Sequence, residues 1–96
     1  MALKTHPFDA ADYLETAEDI RYFLEAAMEG NDAKHIARAL GAVARSKGMT
    51  EIARQTGLGR QALYNALSEN GNPTLQTLTA VLDALGLQLG VQPKAA

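Results

Sequence analysis

The sequence lacks cysteine, which excludes disulfide bonds and thiolate metal sites. It also lacks any apolar run near the ~18 residues that a membrane-spanning helix needs. The first residues, MALKTHPFDAAD, do not contain the apolar stretch of a signal peptide. We therefore expect a soluble, cytoplasmic protein that does not contact a membrane.

Strand-like alternation of useful length, internal repeats and low-complexity tracts are absent as well. What is present is a chain of 96 residues in which hydrophobic residues make up 47%. That is enough for one small packed domain, and it argues against wholesale disorder. Together these features predict an all-α fold.

The net charge of −2 hides an uneven distribution along the chain. Residues 1–33 contain two basic and eight acidic residues, a charge of −6. Residues 34–68 contain six basic residues and one acid, a charge of +5, and residues 69–96 carry −1. A basic centre beside an acidic segment fits a protein that contacts an anionic partner with one part and a cationic partner with another, although two ordinary solvated faces would look the same.

Apolar periodicity and capping residues predict five helices, at about 17–29, 33–47, 50–56, 60–68 and 75–85. Thr16 and Asp19 form a capping-box pattern, and Asp32 and Thr74 are suitable N-caps. Gly30 is the expected left-handed C-cap of the first helix. The apolar stripe predicted for the fifth helix consists of Leu75, Leu78, Leu82 and Leu85.

The third and fourth helices have the spacing of a helix-turn-helix. Ala53 is small where two helices would cross, Gly57 tolerates the positive φ that a tight turn needs, and Leu63 returns to the core. The outer face of the fourth helix then contains no acid before Glu69. Its polar side chains are Arg60, Gln61, Tyr64, Asn65 and Ser68.

These side chains are the types that read base edges in the major groove. Arginine pairs with guanine, and glutamine and asparagine pair with adenine. We therefore predict that they read bases and that a second group, partly near helix ends, contacts phosphates. The predicted phosphate contacts are Arg38, Arg45, Lys47, Thr50, Arg54, Gly59, Asn72 and Thr74.

Two other functions are weighed against DNA binding. Residues 57–62 formally match the dinucleotide fingerprint G-x-G-x-x-G/A, but that motif needs a preceding strand and a βαβ unit. His6 and His35 are too far apart in the sequence to suggest a metal site, and a small helical chain offers little cleft for catalysis. We expect neither an enzyme nor a protein with a cofactor or metal.

The stretch ARSKGMTEIARQTGLGRQALYNALSENGNPTLQTLTAVLDALGLQL resembles the lambda-repressor-like, Xre-type helix-turn-helix domain. More narrowly, the motifs GMTEIARQTGL, LYNAL, GNPT and ALGL resemble the addiction-module antidote family, also described as HigA-like antitoxins. The preceding residues 8–45 resemble the N-terminal part of that family. One departure is Gly59, where such proteins usually carry Ser or Thr as the N-cap of the recognition helix.

The resemblance implies a type II antitoxin. Such a protein neutralises a small basic toxin of the RelE/ParE superfamily and represses its own operon as a homodimer on double-stranded operator DNA. The acidic N-terminal segment would then cover a basic, partly apolar toxin surface. The predicted toxin contacts are Phe8, Tyr13, Leu14, Glu15, Glu18, Asp19 and Glu25.

The predicted architecture is a compact lambda-repressor-like helix-turn-helix bundle of about five helices with an acidic N-terminal arm. The arm spans residues 1–31, the DNA-binding domain 32–90 and a frayed tail 91–96. Two alternatives stay open. One is a stand-alone phage-like repressor without a toxin, and the other is a toxin-inhibiting module that no longer binds DNA.

Overall fold

The computed structural model describes residues 14–68 and 70–94. Within these ranges the chain forms five α-helices and no strand, which confirms the all-α prediction. The helices are α1 (Ala17–Met28), α2 (Ala33–Lys47), α3 (Met49–Thr56), α4 (Arg60–Ala66) and α5 (Leu75–Ala84). None of the helices in the described ranges is long and apolar enough to cross a membrane.

The predicted N-caps are confirmed. Thr16 Oγ1 accepts a hydrogen bond from the N–H of Asp19 at 3.0 Å, and Asp19 Oδ2 accepts one from the N–H of Thr16 at 3.1 Å. Asp32 caps α2 by accepting from the N–H of Lys34, and Thr74 caps α5. These bonds satisfy N–H groups that have no partner inside the helix, so they fix where α1, α2 and α5 begin.

The predicted C-cap at Gly30 is wrong. Asn31 adopts the positive φ of 55° instead, and its N–H donates to the carbonyl of Met28. Asparagine tolerates the left-handed conformation better than most residues with a side chain. The reversal between α1 and α2 therefore occurs one residue later than predicted.

The core joins all five helices, and α1 is part of it. Ile20, Leu24 and Ala27 of α1 are buried in the same cluster as Leu40 and Val43 of α2. The segment before α1 is also attached to the bundle, since the hydroxyl of Ser46 donates to the carbonyl of Leu14 at 3.1 Å. Residues 14–28 thus share their hydrophobic core with the helices that follow.

The stripe predicted for α5 is wrong at Leu75, whose side chain is 68% exposed. The helix buries Val81 and Leu82, and Leu78 packs against the cluster from the side. Leu75 is the first residue of α5 and lies one turn before the part of the helix that packs on the core. Periodicity alone does not show where a packed face ends along a helix.

A close approach of two backbones places α4 against α2. A Cβ atom at Gly41, in the middle of α2, would lie 2.5 Å from the carbonyl oxygen of Leu67. Real Cβ atoms do not come that near to a backbone oxygen, so a glycine is required here. The contact fixes the end of α4 against α2.

The capping box gives a first testable prediction. Replacing Thr16 with alanine should cost about 0.5–2 kcal/mol of stability, because an N–H of α1 loses its partner. Thermal unfolding followed by circular dichroism measures this cost.

The capping box also makes stability depend on pH. Hydrogen bonds from the N–H groups of Thr16 and Glu15 hold the pKa of Asp19 below its ordinary value. A carboxyl whose pKa is lowered in the folded state stabilises the fold above its unfolded pKa, and the contribution disappears as pH falls through the folded pKa. Asp19→Asn should therefore cost more stability at neutral pH than near about pH 3, which is below the ordinary pKa of an aspartate. An effect of equal size at both values would contradict this account.

Candidate nucleic-acid interface

The turn between α3 and α4 consists of residues 57–59. Gly57 takes the predicted positive φ of 77°, and its N–H donates to the carbonyl of Ala53 at 2.9 Å. The hydroxyl of Thr56 adds two bonds that were not predicted: it donates to the carbonyl of Ile52 and accepts from the N–H of Leu58. The turn is therefore closed by hydrogen bonds on both sides of the glycine.

Apolar contacts hold α4 in place below its outer face. Leu63 is 1% exposed and Leu67 is 3% exposed, and both belong to the core cluster with Ile52 of α3. Leu58 of the turn packs against the same cluster. Because α4 is anchored along one side, its opposite side faces solvent in a fixed direction.

The structure brings all five predicted base-reading side chains to that solvent-facing side. Each of them is exposed, and the aromatic one, Tyr64, is 42% exposed. No acidic residue lies between positions 60 and 68. The exposed residues are Arg60, Gln61, Tyr64, Asn65 and Ser68.

Two pairs of side chains organise this face. The guanidinium of Arg60 lies 5.7 Å from the ring centroid of Tyr64, within the range of a cation–π contact. Gln61 Nε2 donates to Asn65 Oδ1 at 3.2 Å. The second pair leaves Gln61 Oε1 to accept and Asn65 Nδ2 to donate, which is the combination that an adenine edge requires. Side chains held this way lose less freedom on binding than mobile ones.

All eight predicted phosphate contacts are exposed: Arg38, Arg45, Lys47, Thr50, Arg54, Gly59, Asn72 and Thr74. Three of them, Arg45, Arg54 and Thr74, already have a partner within the chain. Thr74 caps α5, and Arg54 makes an ion pair with Glu51.

The Glu51 carboxylate is held on both oxygens. It accepts hydrogen bonds from the guanidinium of Arg54 and from the amide of Gln55, and both lower the pKa of Glu51. The bond to Glu51 in turn raises the pKa of Arg54. The pair is exposed, with side-chain exposures of 69% for Arg54 and 45% for Glu51. Exposed ion pairs contribute little to stability, so a phosphate can compete for Arg54 at small cost.

A shallow groove of about 210 Å³ lies between α2 and α4. It brings Arg45, a predicted phosphate contact, together with Tyr64 and Ser68, which are predicted base contacts. Gly41, Met49 and Leu67 form the rest of its lining. Side chains from two groups that are distant in sequence therefore border one surface.

The second surface is an acidic face formed by α1 and the residues that flank it, with exposed residues at alternating spacings of three and four. The residues of this acidic face are Glu15, Glu18, Tyr22, Glu25 and Glu29. Tyr22 is 55% exposed and was not predicted as a contact. Arg21 stabilises the centre of the face, since it pairs with Glu25 at 3.4 Å and lies 5.4 Å from the ring of Tyr22.

Two of the other predicted toxin contacts, Leu14 and Asp19, are not part of the acidic face. Leu14 is 9% exposed and belongs to the core cluster, so its side chain is covered by the bundle. Asp19 is occupied in the capping box. Phe8 and Tyr13 lie outside the described residues. Within the described ranges, no group of three or more His, Asp or Glu side chains is placed to hold a metal ion.

The fold and these two surfaces define a small helical protein with one exposed acid-free helix face and one exposed acidic helix face. A family described as "Probable addiction module antidote protein" matches residues 4–93. The chain therefore belongs to this family of addiction-module antidotes. The antidote part of the predicted resemblance is confirmed, and the narrower HigA-like, Xre-type assignment stays a prediction.

A relative is similar over nearly the same part of the chain. A protein of Haemophilus influenzae, described as uncharacterised, is 42% identical over 85 residues. The alignment covers 88% of this chain and 88% of the relative. No solved structure matches the chain.

Proposed function

We propose that this antidote is a cytoplasmic type II antitoxin. It binds and neutralises a small basic toxin of the RelE/ParE superfamily, and as a homodimer it represses its own operon by binding double-stranded operator DNA. Membership of the antidote family supports the toxin partner in general. The observation that carries the DNA-binding part is the exposed acid-free face of α4, fixed by the buried side chain of Leu63.

In this proposal α3, the turn and α4 act as a helix-turn-helix, and α4 enters the major groove. The N-terminal residues of a recognition helix lie nearest to the bases, which favours Arg60 and Gln61 as the principal contacts. Arg45, in the groove beside Tyr64, would reach a flanking phosphate. Two copies would contact half-sites about 34 Å apart, one helical turn of DNA.

The acidic face of α1 is the proposed toxin-binding surface. Four carboxylates surround Tyr22, so the face offers negative charge to a basic partner and an aromatic side chain to an apolar pocket. The face is displayed by a helix whose other side is buried in the core through Ile20 and Leu24. Within the described residues, the acidic face is therefore already formed before a partner binds.

Because α1 shares the core, deleting the N-terminal segment would test folding and binding together. Charge reversal at exposed positions separates them. Glu18→Lys should weaken binding of the toxin about tenfold, since one attractive contact becomes repulsive. The measurement is calorimetric titration with the small basic protein encoded beside this chain.

Asp83→Lys is the matched control. Asp83 is an exposed acid on α5, so this variant makes the same change in net charge away from the acidic face. The proposal expects near wild-type affinity for Asp83→Lys. Equal losses for both variants would mean that only net charge matters, and an unchanged affinity for Glu18→Lys would remove α1 from the toxin interface.

A second candidate is a toxin-inhibiting module that does not bind DNA. It is favoured by Gly59, which begins α4 without a side-chain capping bond and offers no hydroxyl to a phosphate. The two candidates differ in one direct test. No binding of the full chain to its upstream intergenic DNA at low salt would support the second candidate over the first.

A further inference from the structure

The chain after α5 has a row of backbone groups that bond to no other backbone group within the described ranges. Residues 87–94 form neither helix nor turn, and none of them has a positive φ. The N–H of Leu87 donates to the carbonyl of Leu82 at 2.8 Å, which fixes where the segment leaves the bundle. Across 88–94, no backbone group bonds to another backbone group of the described residues. Such a row resembles the edge of a sheet, which readily pairs with another chain.

The side chains of this segment alternate between apolar and non-apolar. Leu87, Leu89 and Val91 are separated by Gln88 and Gly90. In a β-strand alternate residues share a face, so the three apolar side chains would lie on one side. Leu87 is half-buried against the core cluster, whereas Leu89 is 39% exposed and Val91 is fully exposed. The same apolar side thus begins on the bundle and continues into solvent.

Charge and pattern favour a second copy of this chain as the occupant. No charged residue lies between positions 84 and 93. The segment therefore has no acid that a basic toxin could recognise. Two copies of it can also pair without repulsion between like charges. The apolar pattern is symmetric about Leu89. An antiparallel self-pair places Leu89 opposite Leu89 and Leu87 opposite Val91, and Pro93 ends the ladder because it has no N–H.

We propose that residues 87–91 pair antiparallel with the same residues of a second copy, and that this ribbon is the dimer surface. The inference rests on the homodimer in the proposed function and adds the surface that forms it. A two-fold axis at Leu89 makes the contact self-complementary. It would also relate the two α4 helices by the symmetry that a palindromic operator requires.

A single-cysteine scan tests the register. Because the natural chain has no cysteine, each variant carries one thiol at a known position. Leu89→Cys should form an intermolecular disulfide under mild oxidation, since residues directly opposite in an antiparallel pair have Cβ atoms about 4.5–5.5 Å apart. Val91→Cys alone should not, because its copy lies about four residues away along the ribbon, roughly 13 Å. A mixture of Leu87→Cys and Val91→Cys should form the mixed disulfide.

Leu75→Cys is the control for random collision, because that side chain is exposed on α5. We expect Leu89→Cys to cross-link at least tenfold faster than Leu75→Cys and Val91→Cys. Equal rates for the three variants would overturn the proposed register. Helicity measured by circular dichroism shows that each variant is folded.

Sedimentation equilibrium of the full chain without DNA or toxin provides a second measurement. Leu89→Glu should raise the dimer dissociation constant at least tenfold, and Gln88→Glu, on the other face, should change it little. If the wild type and Leu89→Glu had equal dimer dissociation constants, the proposed surface would be overturned and the homodimer itself would stand. A monomeric wild type would overturn both, and a Leu89→Glu variant that loses only toxin binding would assign the segment to the toxin and overturn the proposal.

Discussion

Replacing Leu24 with alanine is expected to lower the free energy of unfolding by about 2–5 kcal/mol. Leu24 lies on α1 and is 3% exposed in the cluster that contains Leu40 and Val43. The substitution removes buried apolar atoms and leaves a cavity that the neighbouring helices fill only in part. Small domains have a total stability of about 5–15 kcal/mol, so this loss is a large fraction.

Leu75→Ala is the matched control, because the leucine of α5 is 68% exposed. Its effect should stay within about 0.5 kcal/mol. Urea unfolding measures both variants. Similar small losses for the two would mean that α1 is an appendage whose contact with α2 contributes little, and the acidic face would then lack the rigid support described above.

Replacing Arg60 with alanine should weaken binding to the operator by about 1–3 kcal/mol, or roughly 5- to 150-fold, and should weaken binding to random DNA much less. The guanidinium of Arg60 is exposed at the start of α4 and held near the ring of Tyr64. A bidentate contact to guanine is lost only where the operator offers that base. Fluorescence anisotropy with operator and scrambled duplexes at one salt concentration measures the difference.

Arg54→Ala is the arginine control. Arg54 is engaged with Glu51 on α3, outside the α4 face. We expect a smaller loss for this variant, of similar size on operator and scrambled DNA, because a phosphate contact carries no sequence information. If Arg60→Ala also lost equal affinity for both duplexes, Arg60 would be a phosphate contact and the assignment of α4 to base reading would fail.

The parts of the fold that depend on neighbouring residues in the chain could be predicted. The caps at Thr16, Asp32 and Thr74 involve groups two or three residues apart, so sequence patterns show them directly. Gly57 is determined by the local demand for a positive φ. The five helices were therefore located to within about two residues at their ends.

Burial could not be predicted where it depends on packing between distant segments. Whether Leu75 is covered depends on how far the contact of α5 with the bundle extends. Leu14 is buried in a segment that Ser46, far away in the sequence, holds against α2. The error at the end of α1 is local instead: Asn31 has the turn conformation predicted for Gly30, since either residue tolerates it.

Part of the candidate site could likewise be predicted from local sequence patterns, and part could not. The outer face of α4 could be predicted because the apolar side of a short helix determines its polar side. Tyr22 was missed, since a lone aromatic on an amphipathic helix is as compatible with the core as with a partner surface. Its spacing of four from Glu18 and three from Glu25 was the available signal. The contact between Arg60 and Tyr64 could be recognised only from the positions of the side chains.

The most direct measurement is size-exclusion chromatography of three components: the full chain, a small basic protein encoded by a neighbouring gene as the proposed toxin, and the upstream intergenic duplex. The account predicts one assembly with the wild-type chain. Arg60→Ala should bind the duplex more weakly and keep the basic protein, and Glu18→Lys should retain the duplex while binding the basic protein more weakly. A wild-type chain that binds neither component, or variants that lose both together while remaining folded, would contradict the claim that one small helical antidote carries two separate binding faces.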